Sequence, residues 1–348
     1  MRCLRVGLWL ITCSILAAPI IGESLPTESF TFLTKSLGFT SAELATVDAG
    51  AILVDLPKTP EIREVAAVAI ARIDVPPDFF LEKFRDIATF KKNKNVLQIG
   101  KFGNPPTLAD LAGLTVDPAD IESLKQCRVK SCDFKLSAKF IEKFRTEVDW
   151  TSPSYSDRAK QLVHQMLLEQ LQDYLKGGNA ALVKYDDKAS ALGLADEMRS
   201  LLKPTPYMLG YTPRFQKHLE EFPVNATADA TDFEDFVYWS KEEFGMKPVI
   251  TITHVTIHRH GPAGSNVTIA SKGIYASHYF ESSLGLTSLV GKAGSSTRYV
   301  VYVNRSRTDA LRGMFGGMKR SLIGGRLRDG AKKNMEIMRA KLEAQYAD

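Results

Sequence analysis

The sequence predicts an α+β fold: a curved antiparallel sheet packed on a long C-terminal helix, with a helical insertion. Three observations predict it. After Pro223 come runs rich in Val, Ile, Thr and Tyr, separated by Gly-containing breaks, the pattern of a strand meander. Between Ser156 and Lys176, Leu162, Val163, Met166, Leu167, Leu171, Tyr174 and Leu175 recur at helical spacing and stop at Gly177-Gly178. From Asp309 onward the pattern is helical again.

The chain begins with an address. Met1-Arg2-Cys3-Leu4-Arg5 is a short positive head, Val6 to Ile21 an apolar run broken by Pro19, and polarity returns at Gly22-Glu23-Ser24. This describes a secretory signal peptide over about residues 1–22; the run is too short for a membrane anchor, which needs about 20 uninterrupted apolar residues. The expected product is periplasmic or secreted and soluble. Cys3 and Cys13 leave with the leader, so Cys127 and Cys132 remain as an even pair. In an oxidising compartment the pair reads as a structural disulfide across a hairpin between Ile121–Gln126 and Asp133–Leu136.

The 348 residues are 44% hydrophobic and 24% charged, which excludes a disordered tail, a rod and a disulfide-dense miniprotein. Residues 23–60 read as an irregular lead-in, and 61–348 as one α+β domain with its helical insertion at about 138–222. Ile62–Val75 is a strand stopped by Pro76-Pro77. A helix follows with Phe79, Phe80, Phe84, Ile87 and Ala88 on one side, and then a strand over Asn95–Phe102. Inside the insertion, shorter helices fit Ala189–Leu202 and Pro213–Phe222. The meander is expected as four strands, Phe233–Phe244, Pro248–His260, Val267–Phe280 and Thr297–Arg307.

This order, carried by Val65–Phe102 and Phe233–Leu342, resembles the helix-grip fold of the START and Bet v 1-like superfamily. In that superfamily a curved sheet wraps a long C-terminal helix around a hydrophobic cavity. The insertion and the single helix after the first strand depart from the pattern, and no residue motif matches. The resemblance implies a lipid-like or otherwise hydrophobic small-molecule ligand rather than a fixed chemistry.

The final segment is the most unusual. Arg298 to Asp348 holds 12 Lys or Arg against 5 Asp or Glu, although the whole chain is only +5. Arg312, Lys319, Arg320, Arg326 and Arg328, interleaved with apolar residues, are candidates for contact with an anionic membrane surface. Gly313, Gly317, Ser321 and Gly325 fall at four-residue steps and make one smooth row. The row suits packing against the sheet, a membrane or anionic ligand, or a mobile gate. It has no phosphate-loop spacing, and nucleic acid is not an expected partner of an exported protein.

Histidine clusters in Thr253–His260. His258 and His260 are about 6.6 Å apart by strand rise, His254 lies about 13 Å from His258, and reflection through the turn near residue 264 places His278 opposite residue 250. A three-His zinc site is therefore poor geometry, and no metal or cofactor is expected. Candidate lining residues of a ligand cavity are Trp239, His254, Tyr275, His278 and Tyr302. No Gly-x-Ser-x-Gly or His-Glu-x-x-His occurs. The leading expectation is an exported carrier of a hydrophobic small molecule. The alternatives are an enzyme using His254 or His278 as general base, or an interaction protein docking through residues 138–222.

Overall fold

The computed structural model describes residues 33–35, 37–203, 212–223, 233–260, 265–291, 297–312 and 316–347, with side chains from Arg320 onward in the last range. The leader, Gly313 and the Lys319 side chain lie outside the described residues.

Eight strands form one antiparallel sheet. In chain order they are β1 (Ile52–Asp55), β2 (Glu64–Ile73), β3 (Val96–Lys101), β6 (Phe233–Glu242), β7 (Val249–His260), β8 (Asn266–Ala276), β9 (Phe280–Gly291) and β10 (Arg298–Thr308). A separate two-stranded ladder joins β4 (Lys184–Tyr185) to β5 (Leu192–Gly193). The large sheet runs β1-β2-β10-β9-β8-β7-β6-β3, so the C-terminal strand inserts beside the N-terminal β2.

Strand alternation gives this sheet two faces. One face presents Val68, Ile70, Val237, Trp239, Ile250, Ile252, Tyr275, Leu286, Val301 and Val303 to the larger core. That core is completed by α4 (Pro118–Gln126), α5 (Ala138–Glu147), α6 (Tyr155–Gly177), α7 (Leu194–Leu202) and α8 (Pro213–Glu221). The other face presents Ala69, Ala71, Ile73, Val255, Ile257, Ile269, Leu289 and Val300. It is covered by α2 (Pro77–Arg85), α3 (Ile87–Phe90) and the C-terminal half of α9 (Gly316–Ala347), through Ala331, Met335 and Leu342.

The α+β architecture is as the sequence predicts, with four differences. First, the lead-in is not irregular: it holds α1 (Ser41–Asp48), closed by a Thr40/Glu43 capping box, and edge strand β1, and it sends Leu44 and Val47 into the larger core. Second, the Cys127–Cys132 disulfide closes a tight turn after a helix, not a hairpin. Ile121 and Leu124 point into the core at helical spacing, and only Arg128 and Ser131 form a bridge. Third, the strand expected to run to Phe280 ends at Ala276. The chain turns at Ser277-His278-Tyr279 without Gly, Pro or Asn, Tyr279 itself taking φ 55°, and a further strand, β9, returns. Turn punctuation was missing from the sequence, so the extra strand was invisible.

The fourth difference is the glycine row. Ser321 and Gly325 are exposed, and a Cβ at Gly325 or Gly330 would meet nothing within 4 Å. The close approach is made instead by Gly324, whose Cβ would lie 3.3 Å from Leu56 Cδ1. An exposed helical glycine exacts backbone entropy with no packing in return. Gly325→Ala and Gly330→Ala are each expected to raise stability by about 0.5–1 kcal/mol, read as a higher denaturant midpoint at unchanged slope.

Candidate functional site

The two faces of the central strands are unequally closed. On the side of the helical layer nearly every residue of β7 to β10 is buried. On the other side Thr251, Ser271, Gly273, Ser283, Thr287, Tyr302 and Asn304 stay half-accessible, although they lie mid-sheet. These positions are small and polar at every second residue. Register sets them next to one another: Gly273 opposite Ser283, Ser271 opposite Gly285, Gly285 opposite Asn304, and Thr287 opposite Tyr302. Glycine opens the floor here: a Cβ at Gly285 would touch the Tyr302 ring and the Ser271 Cβ, each at 3.7 Å.

The last helix crosses this face. Near its start, Arg320 donates to Thr59 Oγ1 (3.2 Å) and to the Ile62 carbonyl (2.5 Å), beside the entry to β2. Further along, the Arg326 guanidinium lies 3.4 Å from where a Gly245 Cβ would sit, in the β6–β7 turn. Arg339 then reaches the Gly50 carbonyl at the far end of β1 (2.7 Å). In a flat sheet β2 and β6 would be about 24 Å apart, five strand spacings. The last helix, 32 residues and about 48 Å long, spans that width, and the half-accessible strip lies on the face that it crosses.

At one side of this strip stands an ion pair. Lys91, at the end of α3, donates to Glu242 Oε1 (2.7 Å) and to the Tyr238 hydroxyl (3.3 Å), and Ser240 Oγ donates to the same carboxylate oxygen (2.6 Å). Ser240 also meets Thr251 Oγ1 at 3.0 Å, tying the pair to the hydroxyl floor. Burial opposes the charge on Lys91, yet Glu242 and Tyr238 hold its ammonium well above the usual lysine range. Burial likewise opposes ionisation of Glu242, and Lys91 with Ser240 holds the carboxyl below its ordinary value. Both are therefore charged at neutral pH while retaining access, 28% for the Lys91 side chain and 14% for Glu242. Burial raises the Tyr302 phenol, against the opposing pull of the Lys91 charge. Ser306 Oγ donates to Asn304 Oδ1 (2.8 Å) beside it.

No protein-family model matches the chain, and no curated protein matches it either. Its function must be argued from the site alone.

Of the five candidate lining residues, only Tyr302 lies on this face of the sheet. Trp239, His254 and Tyr275 belong to the opposite face, sealed under the helical layer, and His278 lies in the turn between β8 and β9. Trp239 packs over Gly100 and donates to the Asp110 carbonyl (2.8 Å). Tyr275 donates to the Lys135 carbonyl (3.1 Å). His278 Nδ1 lies 3.0 Å from the Asp133 carbonyl, with Nε2 3.2 Å from Asp120. His254 sits between the Tyr174 hydroxyl (2.8 Å) and Asp235 (2.9 Å). Both faces of these strands carry aromatic and apolar residues, so the sequence did not say which face the last helix would cover. Lys91, Tyr238, Ser240, Glu242 and Asn304 were missed. The signal available was the run of Ser, Thr, Gly and Asn at alternate positions of four consecutive strands.

Of the candidate surface cations, Arg312 is half-committed to Glu281 (2.7 Å) and Arg320 to backbone carbonyls, while Arg326 and Arg328 are exposed. Among the described residues no cluster of three or more His, Cys, Asp or Glu could hold a metal, and no helix is long and apolar enough to cross a membrane.

Under the helical layer, Asp235 accepts from His218 (2.9 Å) and from Thr256 (2.6 Å), and Lys272 Nζ donates to Asn179 Oδ1 (2.8 Å) and the Leu219 carbonyl (3.2 Å). Burial lowers His254 to about 4, against the pull of Asp235, and lowers Lys272 to about 7. The unfolded chain therefore binds more protons than the folded one from about pH 4 to 6.5 through His254, and from about pH 7 to 10.5 through Lys272. Stability should rise with pH across both windows. Denaturant midpoints measured across this range check it, and Lys272→Met should flatten the alkaline limb alone.

Proposed function

We propose that this is an exported protein, periplasmic or secreted, that binds a small amphiphilic molecule in the recess between β6–β10 and the C-terminal helix. The observation that carries the reading is the accessible strip of hydroxyl, amide and glycine positions on a sheet whose other face is closed. A packed core has no use for Thr251, Ser271, Ser283, Thr287 and Asn304 on one accessible strip beside a charged pair. Ligand sites combine such convergent polar groups with aromatic surface, here Tyr302 and Tyr238. The polar floor favours a ligand with a hydrogen-bonding end over a wholly apolar chain. The leader sequence and the Cys127–Cys132 disulfide support export.

The rival readings have less support. His254 and His278 are 1% and 3% exposed and face no open cleft, which disfavours either as a general base. A hollow of about 340 Å³ on the helical insertion is lined by Lys139, Glu169, Asp173 and Lys184 together with Phe140 and Leu182, and no large hydrophobic residue is exposed among the described residues of 138–222. A smaller cavity of about 120 Å³ lies between α2–α3 and the end of α9, beside Phe90, Met338 and Leu342. It is too small for a lipid-sized ligand.

The test is native mass spectrometry of the purified protein, followed by titration with an anilinonaphthalene sulfonate probe. Wild type should carry or bind one small molecule per chain. Gly285→Leu, which fills the floor beside Tyr302, should weaken binding about tenfold or more. Equal binding by Gly285→Leu, or no saturable binding by wild type, would overturn the reading.

A further inference from the structure

The outward side of the last helix brings exposed cations and large apolar side chains together. Some surface cations elsewhere pair with carboxylates, as Arg145 does with Glu142 and Arg199 with Asp196, while others, such as Lys92, Lys94 and Lys130, are exposed without an ion pair to a described residue. On α9, Arg326, Arg328, Lys332 and Lys333 are exposed, and none is drawn into an ion pair with a described residue. Two large apolar side chains stand out among them, Leu322 at 59% and Ile337 at 39% exposure.

Helical geometry aligns these residues. With Ala331, Met335 and Leu342 facing the sheet, Leu322, Lys333 and Ile337 fall on the opposite side, spaced eleven and four residues apart in a stripe about 22 Å long, while the Arg326 guanidinium reaches to the β6–β7 turn at Gly245. Lys332 lies about 100° round the helix from Lys333, Arg328 is turned toward the sheet side, and the acids Asp329 and Glu336 stand at the edge of the stripe. The glycines with no protein atom near them, Gly325 and Gly330, border the same stripe and keep it shallow. Neither packing nor helix propensity explains glycine there, and a surface that must approach a broad, flat partner does.

We propose that this stripe docks the protein on an anionic lipid surface, Leu322 and Ile337 entering the interface while Lys332 and Lys333 meet lipid headgroups. Apolar area plus cations near an anionic surface is the combination that holds a helix in the interfacial plane. The proposal concerns the outer side of α9 and does not depend on the recess holding a ligand.

Co-sedimentation of the mature protein with vesicles tests it. Equimolar phosphatidylserine and phosphatidylcholine vesicles should bind the protein, pure phosphatidylcholine vesicles far less, and added salt should weaken the binding. Each cation removed should cost about fivefold, so Lys332→Gln with Lys333→Gln should bind about 25-fold more weakly. Leu322→Ser with Ile337→Ser should also reduce binding at unchanged charge. Both pairs are exposed, and unaltered thermal unfolding and unaltered probe binding in the recess would confirm that only the surface changed. Equal binding to neutral vesicles, or indifference to both pairs of substitutions, overturns the proposal. Heparin binding as tight as vesicle binding, and independent of Leu322 and Ile337, would overturn it in favour of a soluble polyanion.

Discussion

Glu64→Gln should lower stability by about 3–4 kcal/mol, the cost of stranding buried charge. Glu64 is 1% exposed at the start of β2 and accepts from Arg305 Nε (2.8 Å) through one oxygen and from Arg307 Nε and Nη2 (3.2 Å each) through the other. Both arginines are buried on β10, paired with β2 in register at this end. Arg305 also donates to the Leu201 and Lys203 carbonyls, and Arg307 to Glu197 and Ser200, so the carboxylate anchors the C-terminal end of α7 to the sheet. An amide in its place keeps the volume but turns one acceptor into a donor facing a guanidinium. Arg307 retains Glu197, which limits the loss. The expected readout is a lower denaturant midpoint at unchanged slope. Glu64→Asp, with the charge kept but drawn back, should lose less. A loss under about 1 kcal/mol for the glutamine variant would mean that water reaches the pair and screens it.

This network shows what the sequence could and could not convey. Thr297–Arg307 reads as a strand and is one, β10, but the partners of Arg305 and Arg307 were not legible, because they lie in β2 and α7, more than 100 residues away. Thr308 Oγ1 caps the short turn that follows, accepting from the Ala310 amide. Long periodic elements were legible for the opposite reason. Tyr155–Gly177 differs from its expected span by one residue at each end, since its spacing and its glycine stop are local. The proposed site was legible only in outline. Sheet and final helix followed from pattern, but which alternate residues face the helix depends on which face the helix chooses. Tyr302 lies on the face the helix crosses, Trp239, His254 and Tyr275 lie on the other, and His278 lies in the turn between β8 and β9.

Gly178→Ala is expected to be the most damaging single methyl in the described chain. Gly178 ends α6 with φ 61° and ψ −147°, a region essentially reserved for glycine. A Cβ there would lie 1.7 Å from the Phe222 carbonyl oxygen and 2.8 Å from Pro223 Cδ, so backbone must move. What would move is the end of α8. Asn179 donates to the Leu219 and Glu220 carbonyls (2.9 Å each), and the Phe222 ring stacks on Tyr174 and lies 4.3 Å from His254. Together they close over Lys272. Displacing them breaks the Asn179 and Leu219 contacts of that ammonium and lets water in. Gly38→Ala supplies the control: Gly38 has φ 73° but nothing within 4 Å of a Cβ, so only the conformational penalty of about 1–2 kcal/mol should register. Gly178→Ala should exceed it by about 2 kcal/mol or more. It should also expose Lys272, buried in wild type, to acetylation by a water-soluble amine reagent at neutral pH, read by mass spectrometry. Equal losses for the two variants with Lys272 unlabelled would show that α8 yields to the methyl without leaving the sheet.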